Sequence, residues 1–274
     1  MGHDKLRKFA ENETFSCLLQ PSAQELLADG YFHLRDHAVK GHWSERFGND
    51  RPIVLELGCG KGEYTIALAE RNPERNHIGV DIKGARLWKG AKYATEHALP
   101  NVGFLRTRVE FITAFFAPGE VSEIWLTFSD PQYRSENSRL SSPLFLERYR
   151  GFLRPGGIVH LKTDSRFLHE YTRALCEANH LRILSQTTDL YGQAVEVPPV
   201  AREVKTFYES LFLEQGYPIT YLSFAIDHEG AYVSPVEAGL FDTDYWRGVE
   251  GPRLLFGHDS AETRRQKLHA GETL

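Results

Sequence analysis

The segment that most restricts the fold is a short apolar run, Ile53-Val54-Leu55-Glu56-Leu57, closed at once by Gly58-Cys59-Gly60-Lys61-Gly62 and followed by a helical stretch from about Gly62 to Arg71. A run of this length, introduced by Pro52 and ended by glycines, reads as a buried strand leading through a tight turn into a helix. The pattern repeats. His77–Ile82 is a second strand, and Leu87, Ala91, Ala94 and Ala98 fall at helical spacing before Pro100-Asn101 stops them. Val102–Leu105 and Glu123–Phe128 are the third and fourth strands, and Ser142-Pro143 caps a helix whose apolar face is Phe145, Tyr149, Phe152 and Leu153. Gly156-Gly157 returns the chain to a fifth strand, Ile158–Thr163. A helix near Arg166–Asn179, a strand near Leu181–Thr187, a helix near Val204–Gln215 and a final strand over Ile219–Ile226 complete the series. Seven strands alternating with helices predict an α/β fold, a doubly wound, mostly parallel sheet with helices on both faces.

This core spans 51–226. Residues 1–50 form an N-terminal extension with a small basic arm (Lys5, Arg7, Lys8 and Phe9), and 227–274 form an acidic C-terminal extension that reads as an appendage, with a short helix over Glu262–Leu268. At 41% hydrophobic and 25% charged residues the chain has the makeup of an ordinary globular protein, and no run of about 18 apolar residues predicts a membrane span. The first residues lack the apolar stretch of a secretory signal. Three separated cysteines, Cys17, Cys59 and Cys176, with no C-x-x-C pair, point to a reducing cytoplasm rather than to disulfides or a zinc ribbon. The 12 histidines show no H-E-x-x-H spacing, so no metal site is expected. The net charge is −5, yet the stretch from Pro131 to Arg182 is net basic, which suits either phosphate binding or a solvated surface.

A dinucleotide-binding turn, G-x-G-x-x-G, would need glycine at position 63, where this chain has Glu63. It has instead an acidic residue, Glu56, two positions before the first glycine, as in S-adenosylmethionine-dependent methyltransferases. That donor carries an amino group, a sulfonium and a ribose diol but no pyrophosphate, so it rewards carboxylates. Asp81, ending the second strand, suits ribose hydroxyls in either kind of fold. A dinucleotide site, or a tight turn without ligand, remain the alternatives. Cys59 reads as a packing residue. In open α/β sheets ligands sit beyond the carboxyl ends of the strands, so Asp130, in Phe128-Ser129-Asp130-Pro131-Gln132-Tyr133-Arg134, should face the donor unless Asp130-Pro131 only shapes a turn.

With these motifs in order, the chain resembles the bacterial tRNA (guanine-N7)-methyltransferases of the TrmB type. The resemblance runs from about Lys5 to Ile226 and rests on Glu56–Gly62, Asp81, Phe128–Pro131, Thr163-Asp164 and Thr206-Phe207-Tyr208-Glu209. It implies a Rossmann-like class I methyltransferase that methylates N7 of a guanosine in the tRNA variable loop. Donor contacts would come from Glu56, Gly58, Gly60, Gly62, Asp81, Arg108 and the main-chain amide of Val109, the reaction carboxylate from Asp130, and substrate contacts from Arg134, Asp164, Thr206, Phe207, Tyr208 and Glu209. N7 carries an unprotonated in-plane lone pair, so placement of the methyl carbon matters more than a strong base. Three departures stand out. Ser129 occupies the family's proline position, only Arg134 and Arg139 are basic between Tyr133 and Leu140, and Arg108 stands where an acid is common. Thr206 and Glu209 also match a plain helix-capping box. The alternatives are methyl transfer to another acceptor and a non-catalytic donor-binding or RNA-binding relative; oligomeric state is left open.

Overall fold

A computed structural model describes residues 3–27, 30 and 33–250. Its eight strands are β1 (Leu18–Leu19), β2 (Ile53–Leu57), β3 (Asn76–Asp81), β4 (Val102–Arg106), β5 (Val121–Thr127), β6 (Leu153–Thr163), β7 (Ile183–Thr187) and β8 (Thr220–Ala225). They form one sheet in the order β1-β4-β3-β2-β5-β6-β8-β7. Pairing is parallel from β1 to β6, and β8 runs antiparallel to both β6 and β7. The seven expected strands are all present, in a mostly parallel α/β sheet. The eighth, at the edge, pairs Leu18 with Phe104 and is too short to leave a period-2 pattern in the sequence.

The helices are α1 (His3–Asn12), α2 (Ala23–Leu26), α3 (Trp43–Phe47), α4 (Glu63–Arg71), α5 (Gly84–Glu96), α6 (Pro143–Arg150), α7 (Arg166–Ala178), α8 (Pro199–Glu203), α9 (Phe207–Glu214) and α10 (Thr243–Glu250). Central strands are buried on both faces, as a parallel sheet requires. On one face Val54, Trp125 and Tyr221 pack with Tyr64 and Leu68 of α4 and Phe212 of α9. On the other, Leu55, Ile124, Leu126 and Leu222 pack with Phe145 and Tyr149 of α6 and Leu168 and Leu175 of α7. Ser142 caps α6 by accepting from the Phe145 amide, with Pro143 in its first turn. No helix among the described residues is long and apolar enough to cross a membrane.

Three local differences have physical causes. α5 stops at Glu96, because Ala98 turns left-handed at φ 49° ahead of Leu99-Pro100. The helix expected over 204–215 begins only at Phe207, as α9: Val204 is extended, ending the separate short α8, and Thr206 opens α9 with its own cap. The C-terminal extension, over residues 227–250, is packed onto α7 instead of standing off as an appendage. Phe241 is buried edge-on against Phe167 and Tyr171. The helix expected over 262–268 lies outside the described residues. At the other end, α1 lies along α5, with the Asn12 amide donating to Gly84 O at 2.9 Å. The arm's charges are engaged there: Arg7 pairs with Asp4 and Glu11, Lys8 pairs with Asp4, and both cations stand over Trp88.

Candidate functional site

The glycine turn leaves β2 with Gly58, Gly60 and Gly62 at φ 80°, 58° and 73°, a backbone that side-chain-bearing residues rarely adopt. The three glycines serve two ends. A Cβ on Gly62 would come within 2.6 Å of the Phe104 ring, so this glycine lets α4 close onto the sheet. Around Gly60 a Cβ would meet nothing within 4 Å, and at Gly58 only Leu140 at 4.0 Å, so these two present open backbone at the carboxyl end of β2. Asp81, ending β3, accepts from Gly60 N at 3.0 Å and from Lys83 N at 2.7 Å, which places its carboxylate beside the turn. Arg106 pairs with Asp81 across β3 and β4, and Thr107 N donates to Asp81 O, so Arg108 and Val109 emerge on the same rim. The Arg108 guanidinium is turned to Glu110 at 3.0 Å. An open glycine backbone beside a carboxylate fits a nucleoside with a cationic tail better than a pyrophosphate.

Glu56 sits under the turn, 3% exposed. It accepts from the Thr65 amide at 2.8 Å and from the hydroxyls of Thr65 and Thr127, so it ties the start of α4 to β5. Burial pushes its carboxyl up to about 7, against the opposing pull of the threonine hydrogen bonds. Cys59, also buried, has its thiol raised well above the ordinary value by desolvation, which suits packing.

β5 delivers the Asp130 loop. Phe128 N donates to Lys162 O at 2.9 Å, Phe128 is left-handed at φ 51°, and the exposed Asp130 carboxylate accepts from Gln132 N at 2.9 Å. A proline at 129 would confine its predecessor to extended backbone; Ser129 lifts that restriction. Arg134 is exposed on this loop, whereas Arg139, the other base between Tyr133 and Leu140, is 1% exposed. Asp164 follows β6, and its neighbour Ser165 is the cap of α7, accepting from Leu168 N at 3.1 Å.

The Thr206–Glu209 segment arrives at the same rim. Thr206 and Glu209 form a capping box, with Glu209 N donating to Thr206 Oγ1 at 3.2 Å and Thr206 N donating to Glu209 Oε2 at 3.3 Å. Glu209 is fully buried. Both of its oxygens lie 2.8 Å from the equally buried Lys162 ammonium, and Oε1 accepts from Tyr191 OH at 2.5 Å. Desolvation pulls the Lys162 ammonium below its ordinary value while Glu209 works against the fall. Phe207 and Tyr208 are outside, 56% and 44% exposed, edge to face with each other. Two residues unnoticed as functional in the sequence join this segment to the glycine turn. Lys61 Nζ stands 5.2 Å from the Phe207 centroid, and Glu63 Oε2 accepts from Phe207 N at 3.0 Å. The only trace of Glu63 in the sequence is that it occupies the place where a dinucleotide turn needs glycine.

Glycine turn, Asp81, Arg108-Val109, Asp130 loop, Asp164 and Thr206–Tyr208 thus share one edge of the sheet. The family profile described as "Putative methyltransferase" matches residues 50–222. A tRNA (guanine-N(7)-)-methyltransferase of Christiangramia forsetii is 52% identical over 226 residues, 81% of this chain and 98% of that relative. Its counterpart from Bacteroides thetaiotaomicron is 47% identical over 86% of this chain and 90% of its own. The chain belongs to the tRNA (guanine-N7)-methyltransferase family. Among solved structures, the 16S rRNA methyltransferase KamB aligns at 18% identity and TM-score 0.49, over 66% of this chain and 91% of KamB. Membership in the methyltransferase family agrees with the resemblance read from the motifs between Glu56 and Glu209.

Proposed function

We propose that this protein transfers a methyl group from S-adenosylmethionine to N7 of a guanosine in the tRNA variable loop, in the cytoplasm. The observation that carries the reading is the convergence of an open glycine turn, two carboxylates and an exposed aromatic pair on the carboxyl edge of one sheet. When bound, the donor supplies an electrophilic methyl on sulfonium. The open backbone at Gly58 and Gly60 receives it closely, the Asp81 carboxylate accepts from ribose hydroxyls, and the Val109 amide meets the adenine. Glu56 acts from beneath, holding the turn to β5 through Thr65 and Thr127.

Asp130 accepts hydrogen bonds from N1–H and N2–H of guanine, orienting N7, and its charge stabilises the cation that develops on the methylated base. Phe207 and Tyr208 offer ring faces for the unstacked nucleotide, Arg134 a phosphate contact, and Asp164 a polar contact to the substrate. Thr206 and Glu209 support them by fixing the first turn of α9. The test is to incubate the protein with unmodified tRNA and methyl-labelled donor, then digest the RNA to nucleosides. Label in N7-methylguanosine is expected; label in another nucleoside, or donor binding without transfer, overturns the reading.

A further inference from the structure

The loop that carries Asp130 needs outside support. It contains two left-handed residues without glycine's freedom, Phe128 at φ 51° and Gln132 at φ 48°, a conformation that persists only when surroundings hold it. From within, Arg139 donates to Pro131 O at 3.1 Å and to Tyr133 O at 3.5 Å, its guanidinium 4.8 and 4.4 Å from the ring centroids of Phe167 and Tyr171. From outside, the support comes from the C-terminal segment, which lies beyond residue 222 where the family match ends. Glu250 bridges the loop and α7, with Oε1 accepting from Tyr133 OH at 3.1 Å and Oε2 from Phe167 N at 2.8 Å. The Ser234 hydroxyl lies 2.8 and 2.9 Å from the two oxygens of Glu136, further along the loop, and Glu136 also accepts from Tyr171 OH at 2.7 Å. Phe241 fills the gap between these contacts against Phe167 and Tyr171.

We propose that the segment Ser234–Glu250 is a positioning element for the reaction loop, with Glu250 its principal positioning residue. It anchors Tyr133, three residues after Asp130, to the start of α7. The same α7 rings carry Arg139, whose bond to Pro131 O fixes the peptide next to Asp130. The carboxylate is thereby held at one place on the rim before any RNA arrives, a task a loop so poor in basic residues cannot leave to phosphate contacts. This rests on the reading of Asp130 given above.

The test compares full-length wild type with Glu250→Ala, Glu250→Gln, Tyr133→Phe and the Glu250→Ala/Tyr133→Phe double variant. Amide hydrogen exchange of residues 132–139 and steady-state methylation are followed together. In Glu250→Ala, exchange of these amides is expected to speed up about tenfold while the interior of α7 stays protected. Its kcat should fall roughly tenfold or more, with the Kd for donor and the KM for tRNA within about twofold, because orientation rather than affinity is lost. Glu250→Gln, which keeps an acceptor oxygen, should recover part of the rate, and the double variant should be no slower than Glu250→Ala. Unchanged loop exchange or unchanged kcat in Glu250→Ala overturns the proposal, as does a rate loss that follows only the melting temperature. If wild type makes no N7-methylguanosine, the proposed function fails, while the exchange measurement still decides whether the segment orders the loop.

Discussion

Replacing Glu209 by glutamine separates a support role from a substrate role at a charged motif residue that the fold hides completely. Glu209 and Lys162 are both fully buried, 2.8 Å apart, and the ammonium's other bond is to Val204 O at 2.8 Å. Glu209→Gln leaves a positive charge in the interior facing neutral oxygens. Breaking a buried ion pair from one side costs about 3–5 kcal/mol. At about 2–4 °C per kcal/mol for a chain of this size, melting should fall by roughly 6–20 °C. Adding Lys162→Met removes the stranded charge, so Lys162→Met/Glu209→Gln should melt above Glu209→Gln alone and show a coupling of at least about 1 kcal/mol in a double-mutant cycle. Circular-dichroism melts at pH 7 on the four proteins suffice. If Glu209→Gln melts within about 2 °C of wild type while the KM for tRNA rises, the carboxylate faces substrate and the argument from burial is wrong.

The other predictions concern the glycine turn. The Glu56 carboxyl, raised by burial from 4.5 to about 7, contributes stability that is fully present below pH 4.5 and lost as pH rises through 7. Glu56→Gln removes that dependence, so its unfolding free energy relative to wild type should grow by about 3 kcal/mol between pH 4.5 and 7.5, read from urea titrations; parallel pH profiles would show that Glu56 is not a buried titrating acid. Gly62→Ala meets both a left-handed backbone and the Phe104 ring, so it should lose about 2–4 kcal/mol in stability. Gly60→Ala meets only the backbone cost, about 1–2 kcal/mol, but should weaken donor binding in calorimetry; equal donor affinity would move the donor away from Gly60.

The strands and the Ser142-Pro143 cap were legible because their signals are local: apolar runs bounded by glycine or proline, and a hydroxyl ahead of a helix. The shared edge followed from topology alone, since parallel strands put Gly58, Asp81, Asp130 and Asp164 at the same end. What stayed hidden depends on partners distant in sequence. Arg139 reads only as one of two bases in its segment until Phe167 and Tyr171 are seen to enclose it. Lys162 reads as a strand residue until Glu209 and Val204 meet it. Glu250 lies in a segment without clear periodicity, and its role emerges only from two bonds to residues more than eighty positions away or across the loop. The capping box was visible in Thr206–Glu209, but the sequence could not show that Glu209 turns inward while Phe207 and Tyr208 turn out.

The central claim is that Asp130 stands over the donor turn and directs a methyl group to N7 of one guanosine. Borohydride–aniline cleavage of tRNA treated with wild type and with Asp130→Ala, at saturating donor, tests it most directly. One cleavage, in the variable loop, is predicted for wild type, and none for Asp130→Ala although that variant binds donor with unchanged Kd. Equal cleavage by Asp130→Ala, or cleavage outside the variable loop, would contradict the account.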